Sequence, residues 1–177
     1  MPSRHAPRPG PVALAAWRRH AIARMGRSRA ETVALIRRIP RAALLRARTQ
    51  ADWSIRDVLA HIAAWETEGA HRLALIARGR GDRIIWYDTT AELDLFNARV
   101  VRAARRLGPE AVLLRLRTAR RQLLAGLRRL PASALADRRH TLPVTRWLRE
   151  FAWSHEAAHR RAIRAWWRAH RAEADPT

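Results

Sequence analysis

Apolar side chains recur at spacings of three and four residues along much of the chain, and this period limits the fold more strongly than any other sequence feature. The clearest run is Ile55, Val58, Leu59, Ile62 and Trp65. Side chains at this spacing form one stripe on an α-helix, whereas a half-buried strand needs strict alternation. Alanine, leucine and arginine dominate while β-branched residues are sparse, which also favours helices. We find no credible strand, so the sequence predicts an all-α fold.

Helix starts are marked by pairs with the spacing of a capping box, in which a polar side chain and an acidic one three residues later each accept from the other's backbone N–H. The pairs are Ser28–Glu31, Ser54–Asp57 and Thr89–Glu92. Glycines and prolines mark the helix ends. The predicted helices cover about 28–39, 54–78, 89–107, 109–130 and 144–170.

A chain of 177 residues suits one domain. We expect a helical bundle over 27–170 and a disordered, charged tail over 171–177. Residues 1–26 contain no acidic residue and are predicted to be a basic extension without a role in the chemistry. Two alternatives are an amphipathic targeting segment and a translation start at Met25.

The formal net charge is +21, and all 36 basic residues are arginines. Such a surface attracts phosphate without regard to sequence, so we expect nonspecific binding to nucleic acid at low salt. The arginines are spread through every segment, however, which favours the interpretation that they form the solvated exterior of helices. No apolar run approaches the roughly 20 residues that cross a bilayer. We therefore expect a cytoplasmic protein without a membrane partner.

The chain has no cysteine, so a metal ion would need nitrogen or oxygen ligands. His155 and His159 are four residues apart on the last predicted helix and therefore share a face. His61 lies in the second predicted helix. If these helices pack side by side, three imidazoles form one divalent-metal site. Alternatively, His155 and His159 are partly exposed and His61 is a core histidine bonded to a carbonyl.

Other polar and aromatic residues near these histidines have two interpretations each. Asp57 either orients a histidine or caps its helix. Glu66 and Glu156 are candidate general bases, or are solvated like most glutamates on bundle helices. Asp94 and Asn97 either line a cavity or bond to a neighbouring helix. Trp65 is expected to be a core or pocket-wall residue. These alternatives stay open at the level of sequence.

The stretch WSIRDVLAHIAAWE, residues 53–66, resembles the second-helix signature of the DinB-like superfamily, most nearly its ClbS/DfsB branch. ELDLFNARVV, with Asp94 and Asn97, resembles the family's third helix, and WSHEAAHRRAIRAWW resembles its closing helix. The resemblance covers about residues 27–170. It implies a four-helix bundle with short additional helical segments. It also implies one divalent ion, such as zinc, nickel or iron, on His61, His155 and His159.

The resemblance implies several activities. Family members include thiol S-transferases, maleylpyruvate isomerases, and ClbS-type proteins that hydrolyse an electrophilic cyclopropane for self-protection. For this chain we expect a metal-dependent hydrolase or S-transferase that acts on a small electrophile, with water or a low-molecular-weight thiol as nucleophile. The alternative is a non-catalytic protective bundle that sequesters a toxin or binds DNA. The sequence leaves open whether the chain forms a homodimer.

Overall fold

Four long helices and three shorter ones form the part of the chain that the computed structural model describes, which is residues 9–46, 48–137, 139 and 142–171. The long helices are α1 (Pro11–Ile36), α2 (Ile55–Ala77), α4 (Pro109–Arg129) and α7 (Trp153–His170). The shorter helices are α3 (Thr90–Ala104), α5 (Ala132–Leu135) and α6 (Val144–Phe151). Short 3₁₀ turns cover Arg41–Leu45 and Gly81–Arg83. No strand occurs within these residues, so the all-α prediction is confirmed.

Pairs of side chains in contact give the directions of the long helices. Ser28 meets Trp153 and Thr32 meets Arg160, so partner numbers rise together and α1 runs parallel to α7. Two glycines give the directions of α2 and α4 in the same way. A Cβ atom built at Gly69 would lie 3.2 Å from Leu123, and one built at Gly126 would lie 3.3 Å from Leu73. Partner numbers again rise together, so α2 runs parallel to α4. These glycines also let the two helices approach closely.

The two parallel pairs run in opposite directions. Arg29 of α1 contacts α4 at Leu116, whereas the earlier residue Met25 contacts it at the later residue Arg120, so α1 and α4 are antiparallel. Parallel neighbours in a bundle need a long crossover. The crossover from α2 to α4 contains α3, which packs on α2. Only Val101 and Ala104 of α3 are buried. The four-helix bundle with additional helical segments is therefore present, and only the last turn of α3 reaches its core.

The first helix begins earlier than the sequence predicted. Residues 11–26, assigned to a basic extension, form the first turns of α1, and Leu14, Ala21 and Met25 are buried in the core. The helix starts at Pro11, because proline is preset for the first helical turn. The predicted start at Ser28 is wrong, since Ser28 lies in the middle of α1 and is buried against α7. Residues 1–8 and 172–177, which include most of the predicted tail, lie outside the described residues.

The last predicted helix, 144–170, is two helices. Ala152 separates α6 from α7 with φ −121° and ψ −100°, outside the helical region. It is neither glycine nor proline, so no common breaker marked this position. The other two capping boxes are confirmed at Ser54–Asp57 and Thr89–Glu92.

Among the described helices, none has both the length and the apolar character that spanning a membrane requires.

Candidate metal centre

Three histidines from two helices meet between α2 and α7. The Nε2 atom of His155 lies 2.9 Å from Nε2 of His61 and 2.9 Å from Nε2 of His159. One ring nitrogen from each residue falls within 4.8 Å of the other two. His61 and His159 are buried, and His155 is half-buried. The structure thus brings together the three residues that the sequence predicted as ligands.

The protonation of these rings shows that the arrangement fits a cation. A neutral imidazole nitrogen has either one in-plane lone pair or one hydrogen. Nε2 of His155 faces two other Nε2 atoms at hydrogen-bonding distance but can form only one hydrogen bond with them. The remaining contact then brings two nitrogens together without a hydrogen bond between them. A metal ion shared by the three lone pairs removes this conflict, and imidazole nitrogen suits zinc, nickel, copper and iron.

The three rings are neutral at neutral pH. Burial, and then the neighbouring imidazoles, lower the pKa of His61 from 6.5 to about 3. Burial and His159 lower the pKa of His155 to about 3. Burial lowers the pKa of His159 to about 4. Because a metal binds only the unprotonated ring, the site needs no proton loss to accept an ion at pH 7.

Gln50 determines which nitrogen of His159 carries hydrogen. Its Oε1 lies 2.7 Å from Nδ1 of His159 and can only accept, so Nδ1 donates and Nε2 keeps its lone pair. Gln50 is in a tight turn closed by the bond from the Trp53 backbone N–H to the Gln50 carbonyl. Arg48 and Ala51, on either side of it, have φ values of 70° and 54°, which lie in the left-handed region that residues other than glycine uncommonly adopt. The sequence analysis missed Gln50, because nothing local links it to a histidine 109 residues away.

Aromatic rings enclose His61. The centroids of Trp53 and Trp65 lie 5.0 and 6.3 Å from that of His61. Nε1 of Trp65 donates to Oδ1 of Asn97 at 3.1 Å, which connects α2 to α3. Phe96 packs against Trp65 at 4.6 Å. Trp65 therefore lies beside His61, and Asn97 bonds across to α2 while also lying close enough to His61 to act on its pKa.

Two of the predicted neighbours lie apart from the imidazoles. Asp57 forms the capping box with Ser54 and is held by Arg56 and Arg105, so it closes the first turn of α2. Asp94 is exposed on α3 and has no contact with the centre among the described residues.

Glu66 and Glu156, the candidate general bases, are fully buried in an ion-pair cluster. Arg29 donates to Glu66 at 2.9 Å and to Glu156 at 2.6 Å. Arg120 binds Glu66 closely and donates to Glu156 at 2.8 Å. The cluster joins α1, α2, α4 and α7 with two positive and two negative charges. The alternative that these glutamates are solvated is wrong.

The cluster leaves Glu156 poorly suited to accept a proton. Burial alone would raise the pKa of Glu156, but the Arg29 and Arg120 guanidinium groups outweigh burial, and the pKa is lowered. Because the oxygens of both glutamates are occupied by guanidinium donors, the geometry gives no support to a general-base role. The sequence marked the glutamates but not Arg29 and Arg120, which have no distinguishing motif among so many arginines.

Comparison with known families shows which family the chain resembles. The sequence model described as the DinB superfamily matches residues 24–163, and this range contains all three histidines. No curated protein and no solved structure matches the chain.

Proposed function

Because the chain belongs to the DinB superfamily, we propose that it is a metal-dependent enzyme in which His61, His155 and His159 bind one divalent ion. The observation that carries the proposal is the convergence of three neutral imidazoles, with Nε2 of His155 2.9 Å from Nε2 of both His61 and His159. Three ligands without charge leave the charge of the ion uncompensated. When bound, the ion would supply a Lewis acid that lowers the pKa of a nucleophile near neutral pH.

The residues around the histidines prepare the site for this role. Gln50 holds His159 in the tautomer that directs a lone pair inward. Trp53 and Trp65 exclude water from one side of His61, and in a drier site electrostatic interactions are stronger. His155 is only half-buried, so the centre is accessible from its side.

The nucleophile comes from outside the chain. With no cysteine in the sequence, the protein offers no thiol of its own. We propose water or a low-molecular-weight thiol as the nucleophile and a small electrophile as the substrate. The resemblance of residues 53–66 to the ClbS/DfsB branch supports hydrolysis as the reaction and self-protection as its purpose. S-transfer to an electrophile is the second reaction to measure.

The test compares His61→Ala and His159→Ala with His71→Ala, an exposed histidine on the same helix as His61. Each protein is purified without a polyhistidine tag, its metal content is determined by mass spectrometry, and it is titrated with zinc, nickel and iron(II). We expect one ion per chain in the parent and in His71→Ala, and a loss of at least about tenfold in affinity in the other two, since each removes a ligand. Equal metal content in all four proteins would refute the site.

Turnover is measured separately, with an epoxide or activated cyclopropane substrate, in the presence and absence of thiol. Consumption without thiol identifies hydrolysis, and consumption that requires thiol identifies S-transfer. Metal binding without either reaction would support the proposed metal centre but refute the proposed enzymatic activity.

A further inference from the structure

A polar cleft of about 500 Å³ lies between α1 and the α6–α7 segment. Five of its lining residues are arginines and two are glutamates. The arginines are Arg24, Arg27, Arg149, Arg160 and Arg161. A half-buried tryptophan, Trp153, and two serines complete the polar and aromatic part of the lining. The cleft therefore concentrates positive charge in a concave site, unlike the arginines scattered over convex helix surfaces.

Both glutamates of this cleft are already neutralised. Glu31 pairs with Arg160 at 2.5 Å, and Arg160 also donates to Oγ of Ser28 at 3.0 Å. Glu150 pairs with Arg149 at 3.4 Å, and Arg149 donates to Oγ of Ser154 at 2.9 Å. These bonds hold two of the guanidinium groups in place and leave no carboxylate for the other three.

Arg24, Arg27 and Arg161 have no hydrogen-bond or ion-pair partner within the described part of the chain. Arg24 and Arg27 are three residues apart on α1, so their side chains leave from the same face. Arg161 reaches the cleft from α7. Three unpaired cations around one cavity repel one another, and an anion placed between them converts this repulsion into attraction.

We propose that this cleft binds a phosphate-bearing anion. Each guanidinium group presents a planar fork of donors that matches two phosphate oxygens at once. The volume is within the range of small-ligand sites, and Trp153 supplies a wall against which an aromatic part of the ligand can stack. A small phosphorylated molecule and the backbone of a nucleic acid share this chemistry.

This site is independent of the metal centre. Ser154, Ala157 and Arg161 line the cleft, whereas His155 and His159 face α2. Successive residues diverge by about 100° around a helix, so a ligand in the cleft would contact a different face of α7. The proposal therefore stands whether or not the protein is an enzyme.

The experiment separates a localised site from the overall charge of the protein. The cleft variant is Arg24→Gln/Arg27→Gln/Arg161→Gln. The matched control is Arg102→Gln/Arg106→Gln/Arg128→Gln, which removes the same charge from three exposed arginines outside the cleft. All six side chains are exposed, so both variants should keep the helical circular dichroism and the metal content of the parent protein.

Two probes are titrated into each protein by calorimetry at 150 mM salt, inorganic pyrophosphate and a twelve-nucleotide single strand. We expect pyrophosphate to bind the parent with one site per chain. The cleft variant should lose about tenfold or more in affinity, because charge-assisted hydrogen bonds are the strong ones, and the control should lose less than about twofold. If the single strand uses the cleft, the slope of log affinity against log salt should fall by about 2 in the cleft variant, from three lost contacts.

The outcomes differ clearly. Selective loss of pyrophosphate binding in the cleft variant identifies a small phosphorylated ligand, and selective loss of the single strand alone identifies nucleic-acid backbone. Equal losses in the two variants, or no saturable binding of either probe to the parent, would overturn the proposal, since overall charge would then account for everything measured.

Discussion

Replacing Arg120 by methionine tests whether the buried ion-pair cluster holds the four helices together. Arg120 is 5% exposed, and its partners Glu66 and Glu156 are 0% exposed. It also donates to the backbone carbonyl of Met25. Methionine fills similar space without charge, so the variant leaves two buried carboxylates facing Arg29 alone.

The structure sets the size of the expected effect. Removing one partner of a buried ion pair costs about 3–5 kcal/mol, because the remaining charge is left desolvated and uncompensated. The lost donor to Met25 adds about 1 kcal/mol. For a protein of this size the sum corresponds to a fall in Tm on the order of 10 °C. It is also a large part of a typical total stability of about 5–15 kcal/mol.

The assay is urea unfolding of the parent and of Arg120→Met at pH 7, monitored by circular dichroism. Adding Glu66→Gln to the variant leaves Arg29 with Glu156, one charge of each sign, and should recover at least about 1 kcal/mol through coupling between neighbours. The control is Arg121→Met, the next residue, whose side chain is exposed. It should change the free energy of unfolding by no more than about 0.5 kcal/mol.

Two results would refute this reasoning. One is a loss below about 1 kcal/mol in Arg120→Met, which would mean that the cluster is hydrated or rearranges freely. The other is an equal cost of Glu66→Gln with and without Arg120, since independent sites add and coupled charges do not.

Three further predictions concern the histidines and the first helix. Gln50→Ala should weaken metal affinity about 10–100-fold, whereas Gln50→Glu keeps an acceptor for Nδ1 and should retain most of it; calorimetric titration decides. Metal-free protein should lose stability as pH falls from 6.5 towards 4, because the unfolded chain takes up protons that the folded histidines, with pKa values of about 3 to 4, do not. The slope is at most about 1.4 kcal/mol per unit per histidine, and an equally steep profile in His61→Ala would contradict it. Leu14→Ala should cost about 2–5 kcal/mol, while Val12→Ala, an exposed neighbour, should be nearly neutral in urea unfolding.

The parts of the site that the sequence predicted correctly depend on local spacing or on family resemblance. His155 and His159 share a face because they are four residues apart, and this follows from helix geometry alone. That His61 meets them across the bundle depended on the resemblance of residues 53–66. The capping boxes at Ser54 and Thr89 were predictable because their partners are three residues away.

The errors arise where a distant segment decides the outcome. Ser28 matches a cap locally, but in the fold it bonds Arg160 of α7, so the helix continues through it. Glu156 looks like an ordinary exposed helix residue until Arg29 and Arg120 arrive from two other helices. Gln50 becomes informative only when His159 is placed beside it. Periodicity determines which side of a helix a residue occupies, not what faces it.

The parallel arrangement of α1 and α7 has a consequence for how the protein is made. During synthesis the first helix leaves the ribosome more than a hundred residues before the segment that covers it, and contacts this far apart in the chain form slowly. Until α7 emerges, Ser28 and Thr32 lack the Arg160 side chain that bonds them, and Arg29 lacks its partner Glu156. A nascent chain of this kind is exposed to aggregation for most of its translation. Folding is therefore expected to finish only after residue 160 is free, and the metal site can appear only at that last stage.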